Sequence, residues 1–293
     1  MATSIPTKER LKDLKEEYDH LKVDKDALLQ IIDEAEIPES VYNSNAIENS
    51  TLTLKETEKI LLEMEVSRDI SLREVFEAKN LALVMDYVRR KAKKQELSEE
   101  LILLLHQMLI GNIDESIAGR FRKEHEYVRV GTHIAPAPEH IERMLEQHLI
   151  EYSSDHDIYF IDKIAKFHLD FETIHPFNDG NGRIGRVLLN YQLLRWGFPG
   201  VIIRDKEKKT YYDAFNEYRD GQLAKKMERI ATMSLMESLH KRIAYLKANK
   251  IILLVDYAKQ QQKPTPVVLN AARRQTIPAF REKGVWKIGV EAK

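Results

Sequence analysis

His175-Pro-Phe-Asn-Asp-Gly-Asn-Gly-Arg-Ile-Gly-Arg186 is the stretch on which the reading of this 293-residue chain turns. Gly180 and Gly182 flank Asn181, so the backbone there is free to adopt positive φ, and a ligand can press against the main chain. Val187, Leu188, Tyr191 and Leu194 then recur at helical spacing, which predicts a helix over about 182–196 immediately after the loop. The free N–H groups and positive dipole end of such a helix start form an anion site. Arg183 and Arg186, three apart, share one side of that helix and reach the same polyphosphate. Asp179 offers an oxygen ligand for Mg²⁺, which ordinarily bridges a carboxylate and substrate phosphates. His175 is the one group in the loop able to take a proton near neutral pH. A base, a metal ligand, a backbone cradle and two cations are what attack on a phosphate requires. A Gly-Asn turn with arginines paired to surface acids explains each residue singly but not the set.

The rest of the chain is helical in pattern. Leu11, Leu14, Tyr18, Leu21 and Leu28 fall at heptad-like spacing and read as one helix, which either docks on its own core or dimerises. Pro38 is read as opening a second segment that runs to Asn49. Thr53-Leu-Lys-Glu56 and Ser71-Leu-Arg-Glu74 fit the capping box and predict helix starts near 54 and 72. Further helices are expected over about 97–110, 139–153, 158–173, 206–219 and 223–247. Glu126 to Ile134 alternates about Gly131-Thr132 and predicts a short β-hairpin before Ala135-Pro-Ala-Pro138. Gln260 to Pro266 (QQQKPTP) reads as a linker by composition, and from Lys263 onward seven basic residues stand against two acidic ones. The expected fold class is all-α, a helical bundle with a short β-hairpin and a small C-terminal appendage. Its expected divisions are 1–35, 36–250 and 263–293.

Bulk properties bound the function. With 43% hydrophobic and 32% charged residues the chain is ordinary for a soluble globular core, and a net charge of −1 makes it no electrostatic magnet for nucleic acid or membrane. The absence of cysteine excludes disulfides and thiolate metal sites. The charged N-terminus lacks the apolar core of a signal peptide, and no stretch reaches the roughly 18 apolar residues of a membrane span, so a cytoplasmic protein is expected.

The loop resembles the signature of the Fic family, His-x-Phe-x-Asp/Glu-Gly-Asn-Gly-Arg-x-x-Arg, at every specified position, and the likeness extends more weakly from about residue 40 to about 245. The resemblance implies a Fic-type helical fold with a hairpin flap and a protein adenylyltransferase that moves AMP from ATP to a Ser, Thr or Tyr hydroxyl of a target protein, the chain itself included. It implies that His175 deprotonates the hydroxyl, which attacks the α-phosphorus as pyrophosphate leaves; such proton transfer is worth about 10²–10⁴ in rate. Phe177 would anchor the loop, and Asp179 would hold Mg²⁺. Asn181, Gly182 and neighbouring amides, Gly180 among them, would form the anion hole. Arg183 would meet the β-phosphate and Arg186 the γ-phosphate. Val130, Gly131, Thr132 and His133 would form the flap over the nucleotide, whose edge could take an extended target segment by β-augmentation. Tyr211 stands where relatives contact the adenosine end; eight positions on, this chain has Arg219 where relatives often show asparagine.

Ser44-Asn-Ala-Ile-Glu-Asn49 resembles the family's inhibitory motif, Ser/Thr-x-x-x-Glu-Gly/Asn. On a helix Ser44 and Glu48 share a face. By resemblance Glu48 would pair with Arg186, occupy the γ-phosphate's place and hold ATP unproductively. The same carboxylate could instead orient a water that removes AMP from a modified protein. Outside enzymes, the tail sequence IPAFREKGVWKIG resembles the second half of excisionase-type winged-helix modules, which makes a DNA-binding regulator the runner-up; solvated charge, or docking of the tail onto the body, is the favoured reading of the tail. His168, seven before His175 and near Asp170, lies under the apolar stripe with no third ligand and reads as a core histidine rather than a metal ligand, and His106, His125, His140 and His148 show no partner pattern.

Overall fold

Helix starts follow the capping chemistry. Thr53 accepts from the Glu56 amide while the Glu56 carboxylate accepts from the Thr53 N–H at 2.8 Å, a complete capping box that opens α3 (Leu54–Glu58). Ser71 and Ser98 cap α4 (Leu72–Lys91) and α5 (Glu99–Ile110) by accepting from the Glu74 and Leu101 amides, but the box expected at Ser71 is only half formed, because the Glu74 carboxylate turns to Ser50 and the Thr51 N–H. The computed structural model describes residues 3–66, 69–131 and 133–291, and it is mostly helical. α1 (Ile5–Leu21) and α2 (Asp26–Ile47) precede these elements. After α5 come a hairpin of β1 (Arg129–Val130) and β2 (His133–Ile134), then α6 (Ile141–Ser154), α7 (Phe160–Ile174), α8 (Asn181–Arg195), α9 (Lys208–Gly221) and α10 (Lys225–Leu246). No described helix is long and apolar enough to cross a membrane.

Two apolar cores meet on α7 and α8. One joins them to α1, α9 and α10 through Leu11, Leu169, Leu189, Tyr218 and Leu235; the other joins them to α4 and α5 through Leu81, Leu105, Phe167, Phe177 and Leu188. The loop 175–180 connects the two central helices, so the packing of both cores fixes it.

The N-terminal seam is two helices rather than one. The chain turns at 22–25, where Asp24 takes a left-handed φ of 59°. Leu11 and Tyr18 are buried, and Leu14, Leu21 and Leu28 pack against the same core, so the chain's own α10 side fills the seam. Pro38 does not open a segment: it lies inside the 22-residue α2, which runs unbroken through position 36. An internal proline forfeits a helical hydrogen bond at about 3 kcal/mol. Burial of Ile32, Pro38 and Val41 on the body offsets that loss, a tertiary term that local spacing does not carry.

The C-terminal module begins earlier than composition indicated. β3 (Lys250–Leu253) and α11 (Leu254–Gln260) precede α12 (Thr265–Arg273), β4 (Ala279–Glu282) and β5 (Val285–Val290). QQQKPTP is therefore not a linker but the end of α11, a tight turn and the start of α12. The sheet order is β3-β5-β4, antiparallel, with Ile252 opposite Ile288 and Phe280 opposite Lys287. The strand character of 250–253 depends on pairing with residues nearly forty positions downstream, which no local pattern announces. The result is a helix-turn-helix followed by a two-stranded wing.

Candidate active site

α7 ends at Ile174, and His175 turns the chain out of it as a left-handed C-cap with φ 50°, its N–H on the Phe171 carbonyl at 2.9 Å. Asn181 clasps the loop from inside: its side-chain amide donates to the Phe177 carbonyl at 2.8 Å and accepts from the Phe177 N–H at 2.9 Å. The Asn181 side chain is thus committed to the loop, so what Asn181 can offer an anion hole is its main-chain amide. Phe177 is fully buried, as an anchor should be, and stacks on His106 at 3.7 Å. His106 accepts from the Gly119 N–H on Nδ1 (3.0 Å), so Nε2 carries the proton that it donates to the Asp179 carbonyl (3.0 Å). Burial pushes the pKa of His106 down to about 4, which keeps that neutral tautomer in place. Arg122 is buried and donates to the carbonyls of His175 (2.9 Å), Glu126 (2.9 Å) and Pro136 (2.8 Å), fastening the loop to the base of the hairpin. Sequence reading missed both supports, because His106 and Arg122 lie 73 and 53 positions from the groups they hold.

Gly180 takes φ 84° as the N-cap of α8, and a side chain there would press Leu109 and Ile110 at 3.1–3.2 Å. At Gly182 a Cβ would collide with Oε1 of Glu48, so the Glu48 carboxylate lies directly on the first turn of α8. Arg186, buried, donates from Nε to the Ser44 hydroxyl (2.9 Å) and from Nη2 to the Ser44 carbonyl (2.9 Å) and Glu48 Oε1 (2.8 Å). Ser44 and Glu48 therefore share the face of α2 that the i, i+4 spacing predicts, and both address one guanidinium. Tyr211 sits behind that guanidinium, 1% exposed, its hydroxyl 2.7 Å from His168 Nε2 and 3.5 Å from Arg186 Nη1. This burial gives Tyr211 no open face for an adenosine, contrary to the expected contact; it backs Arg186 instead. His168 is the core histidine its spacing indicated, with burial driving its pKa to about 3.

Arg183 is also buried and pairs with Asp179 (2.9 Å) and with Glu77 of α4 (3.3 Å). Arg73 reaches Asp179 from the same helix. Burial alone would raise the Asp179 pKa, but Arg183, Arg73 and the Gly180 N–H outweigh it and hold the carboxylate below its usual range. No group of three His, Cys, Asp or Glu able to hold a metal exists among the described residues. The lone, one-third exposed Asp179 carboxylate fits a metal held jointly with substrate oxygens, not an all-protein cage. In the hairpin Val130 pairs with His133, Gly131 takes φ 61°, and a His133 ring nitrogen lies 3.0 Å from the Thr173 carbonyl of α7; Thr132 lies outside the described residues.

Burial drives the His175 pKa down to about 4, helped by Arg122 and Arg219 and opposed by the Glu172 carbonyl and the field of Glu48. The imidazole is neutral, and able to accept a proton, throughout the physiological range. Beneath it lies Glu172, whose Oε2 is 3.7 Å from His175 Nδ1 and whose Oε1 makes no hydrogen bond. Burial, then Glu48, pushes the Glu172 pKa up to about 8 against the pull of Arg186 and Arg219. Neither Glu172 nor Arg219, which lies within 3.4 Å of the Glu172 carbonyl, stood out from spacing as part of this cluster.

Residues 96–193 match the Fic/DOC family. The chain is 31% identical over 186 residues to "Protein adenylyltransferase Fic" of Drosophila grimshawi, covering 62% of this chain and 38% of the relative. It is 34% identical over 189 residues to the protein of the same name from Nematostella vectensis, covering 62% and 43%. The chain thus spans about two fifths of the length of the curated relatives it matches. Among solved structures, Fic-1 from C. elegans is similar at a TM-score of 0.71 and 28% identity, covering 83% of this chain and 72% of that one. A Fic family protein from Desulfovibrio desulfuricans G20 has the same fold at a TM-score of 0.63 and 18% identity, covering 99% of this chain and 98% of that one.

Proposed function

The chain carries a Fic-family domain, and from that premise we propose that it is an adenylyltransferase for protein hydroxyls, held in check by Glu48. The observation that carries the reading is that a carboxylate already lies on Gly182 and Arg186 at the start of α8. The cradle thus accepts an anion, and the anion it holds is the chain's own. With ATP in that place, the α8 amides, Arg183 and Arg186 neutralise the triphosphate. The target hydroxyl gives its proton to Nε2 of His175 as its oxygen bonds to the α-phosphorus and the bond to the β-phosphate oxygen breaks. The products are the AMP ester and pyrophosphate. Asp179 would hold Mg²⁺, which would supply charge neutralisation to the triphosphate. Glu48 competes for the same guanidinium, so the resting chain transfers slowly. The test is transfer of label from α-³²P-ATP to protein by the Glu48→Gly variant. Label is expected in that variant and lost on adding His175→Ala; label that persists without His175 rejects the mechanism.

A second reading concerns the C-terminal module. Its helix-turn-helix and wing, and the exposed Lys263, Arg273 and Arg274 that form no ion pair among the described residues, favour contact with duplex DNA. Three phosphate contacts give a slope of log affinity on log salt of about −2.7. A triple alanine variant at those positions that binds duplex as tightly as the native chain, with the same salt slope, removes this reading.

A further inference from the structure

Glu39 lies on α2 nine residues before Glu48, about two and a half turns away. Its carboxylate is buried and bonded to Arg204. It also accepts the Lys283 N–H at 2.9 Å and the Gly284 N–H at 3.0 Å. Those two residues are the tip of the C-terminal wing, between β4 and β5, with left-handed φ of 50° and 76°. Positive φ at both central residues is the geometry of a tight two-residue hairpin, and here it aims two adjacent amides at one carboxylate. The grip is reinforced around it. Arg204 also pairs with Glu237 at 3.0 Å, and Glu237 takes Arg281 of β4 at 2.6 Å. One turn earlier on α2, Glu36 pairs with Lys241 (2.9 Å) and Arg242 (2.6 Å) of α10, and Lys241 reaches on to Glu282 of β4 (3.4 Å).

The flank of α2 toward α4 and α8 is different. A cleft lined by Ile37, Met85, Val88 and Val187, and also by Glu36 and Arg242, runs along it. α2 is thus fastened toward α10 and the module by the buried charged contacts of Glu36 and Glu39, and it joins the α4–α5–α8 core through Val41 and the Glu34–Arg89 pair. α2 carries Glu39 and Ser44, and Glu48 is its C-cap, so displacement at Glu39 is passed to Ser44 and Glu48.

We infer that the C-terminal module is a clamp on the inhibitory helix: its wing tip holds Glu39, and lifting the wing lets α2 shift and frees Arg186 for nucleotide. The inference rests on the proposed inhibitory role of Glu48 and assigns the element that enforces it. It also absorbs much of the tail's basic character, since Arg281, Lys283 and Lys287 all pair with acids of the body or of the module itself. A partner that draws the wing from the body would act as the activator.

The test compares self-labelling from α-³²P-ATP in full-length wild type, Glu39→Ala, Glu39→Gln, Glu48→Gly and the Glu39→Ala/Glu48→Gly double variant, with hydrogen exchange of the 38–49 amides alongside. Each Glu39 variant is expected to raise labelling about fivefold or more, the lower end of ordinary coupling between sites. Exchange over 38–49 should quicken while α7 stays protected. In the Glu48→Gly background the Glu39 change should alter labelling less than twofold, because both act through one residue. Glu39→Gln keeps the side chain's shape and serves where alanine impairs folding. If Glu48→Gly labels strongly while neither Glu39 variant exceeds wild type, the clamp is wrong and the inhibitory reading stands. If the double variant falls well below Glu48→Gly, Glu39 supports the site rather than restraining it, and the clamp is again wrong. A silent Glu48→Gly removes the inhibitory reading and the clamp with it.

Discussion

Replacing Glu48 by glycine should raise the rate of adenylyl transfer by about thirtyfold. The change removes the 2.8 Å bond to Arg186 and the carboxylate lying against Gly182, while both Ser44 contacts keep the guanidinium in place. A hydrogen bond between charged groups contributes about 1.5–3 kcal/mol. Glu48 is 34% exposed, so the lower half of that range applies. Taking about 2 kcal/mol, and a tenfold change for each 1.4 kcal/mol, gives about thirtyfold at subsaturating ATP. The assay is the initial rate of self-labelling from α-³²P-ATP with Mg²⁺, beside the dissociation constant for ATP measured by calorimetry. Glu48→Gln, which keeps the volume and loses the charge, should fall between glycine and wild type. A glycine variant that labels within twofold of wild type, with ATP affinity also unchanged, refutes the claim that this carboxylate obstructs the site.

The base has its own signature: with a His175 pKa near 4, kcat/KM of Glu48→Gly should stay flat from pH 8 to pH 6 and fall only as acid approaches that value, and an inflection near 6.5 would contradict the burial argument. Glu172 should set a stability trend of opposite sense, because the folded chain keeps, up to about pH 8, a proton that the unfolded chain releases near 4.5. Its contribution is complete below pH 4.5 and lost as pH rises through 8, so the Tm advantage of Glu172→Gln over wild type should grow between pH 5 and pH 8; a constant difference shows that Glu172 is ionised in the fold. Gly182→Ala, added to Glu48→Gly, should leave the fold intact but place a methyl where the anion rests, reducing labelling by about a hundredfold for a displacement near 1 Å; undiminished labelling would put the phosphates elsewhere.

The sequence made the chemistry legible wherever the physics is local. Glycines at a turn, a helix starting just after them and a carboxylate four residues from a serine all act over one or two helical turns, and the structure brings Ser44, Glu48 and Arg186 together as that spacing demands. The capping box at Thr53 is equally short-ranged, and it formed. What escaped reading depends on distant contacts. His106 is a histidine without a partner pattern until the loop folds over it, and Arg122 gains its role only where the hairpin base meets the end of α7. Tyr211 was placed by resemblance at the nucleotide, yet its burial beneath Arg186 is set by packing between α7 and α9. Pro38 and β3 mislead for the same reason, since tertiary burial carries one through a helix and a remote strand makes the other.

The most direct measurement is a crystal structure of Glu48→Gly soaked with ATP and Mg²⁺. The account predicts the triphosphate along the first turn of α8, Arg183 and Arg186 on its outer phosphates, and the α-phosphorus beside the His175 imidazole. A nucleotide bound away from that helix start, or an imidazole turned from the phosphorus, would contradict it.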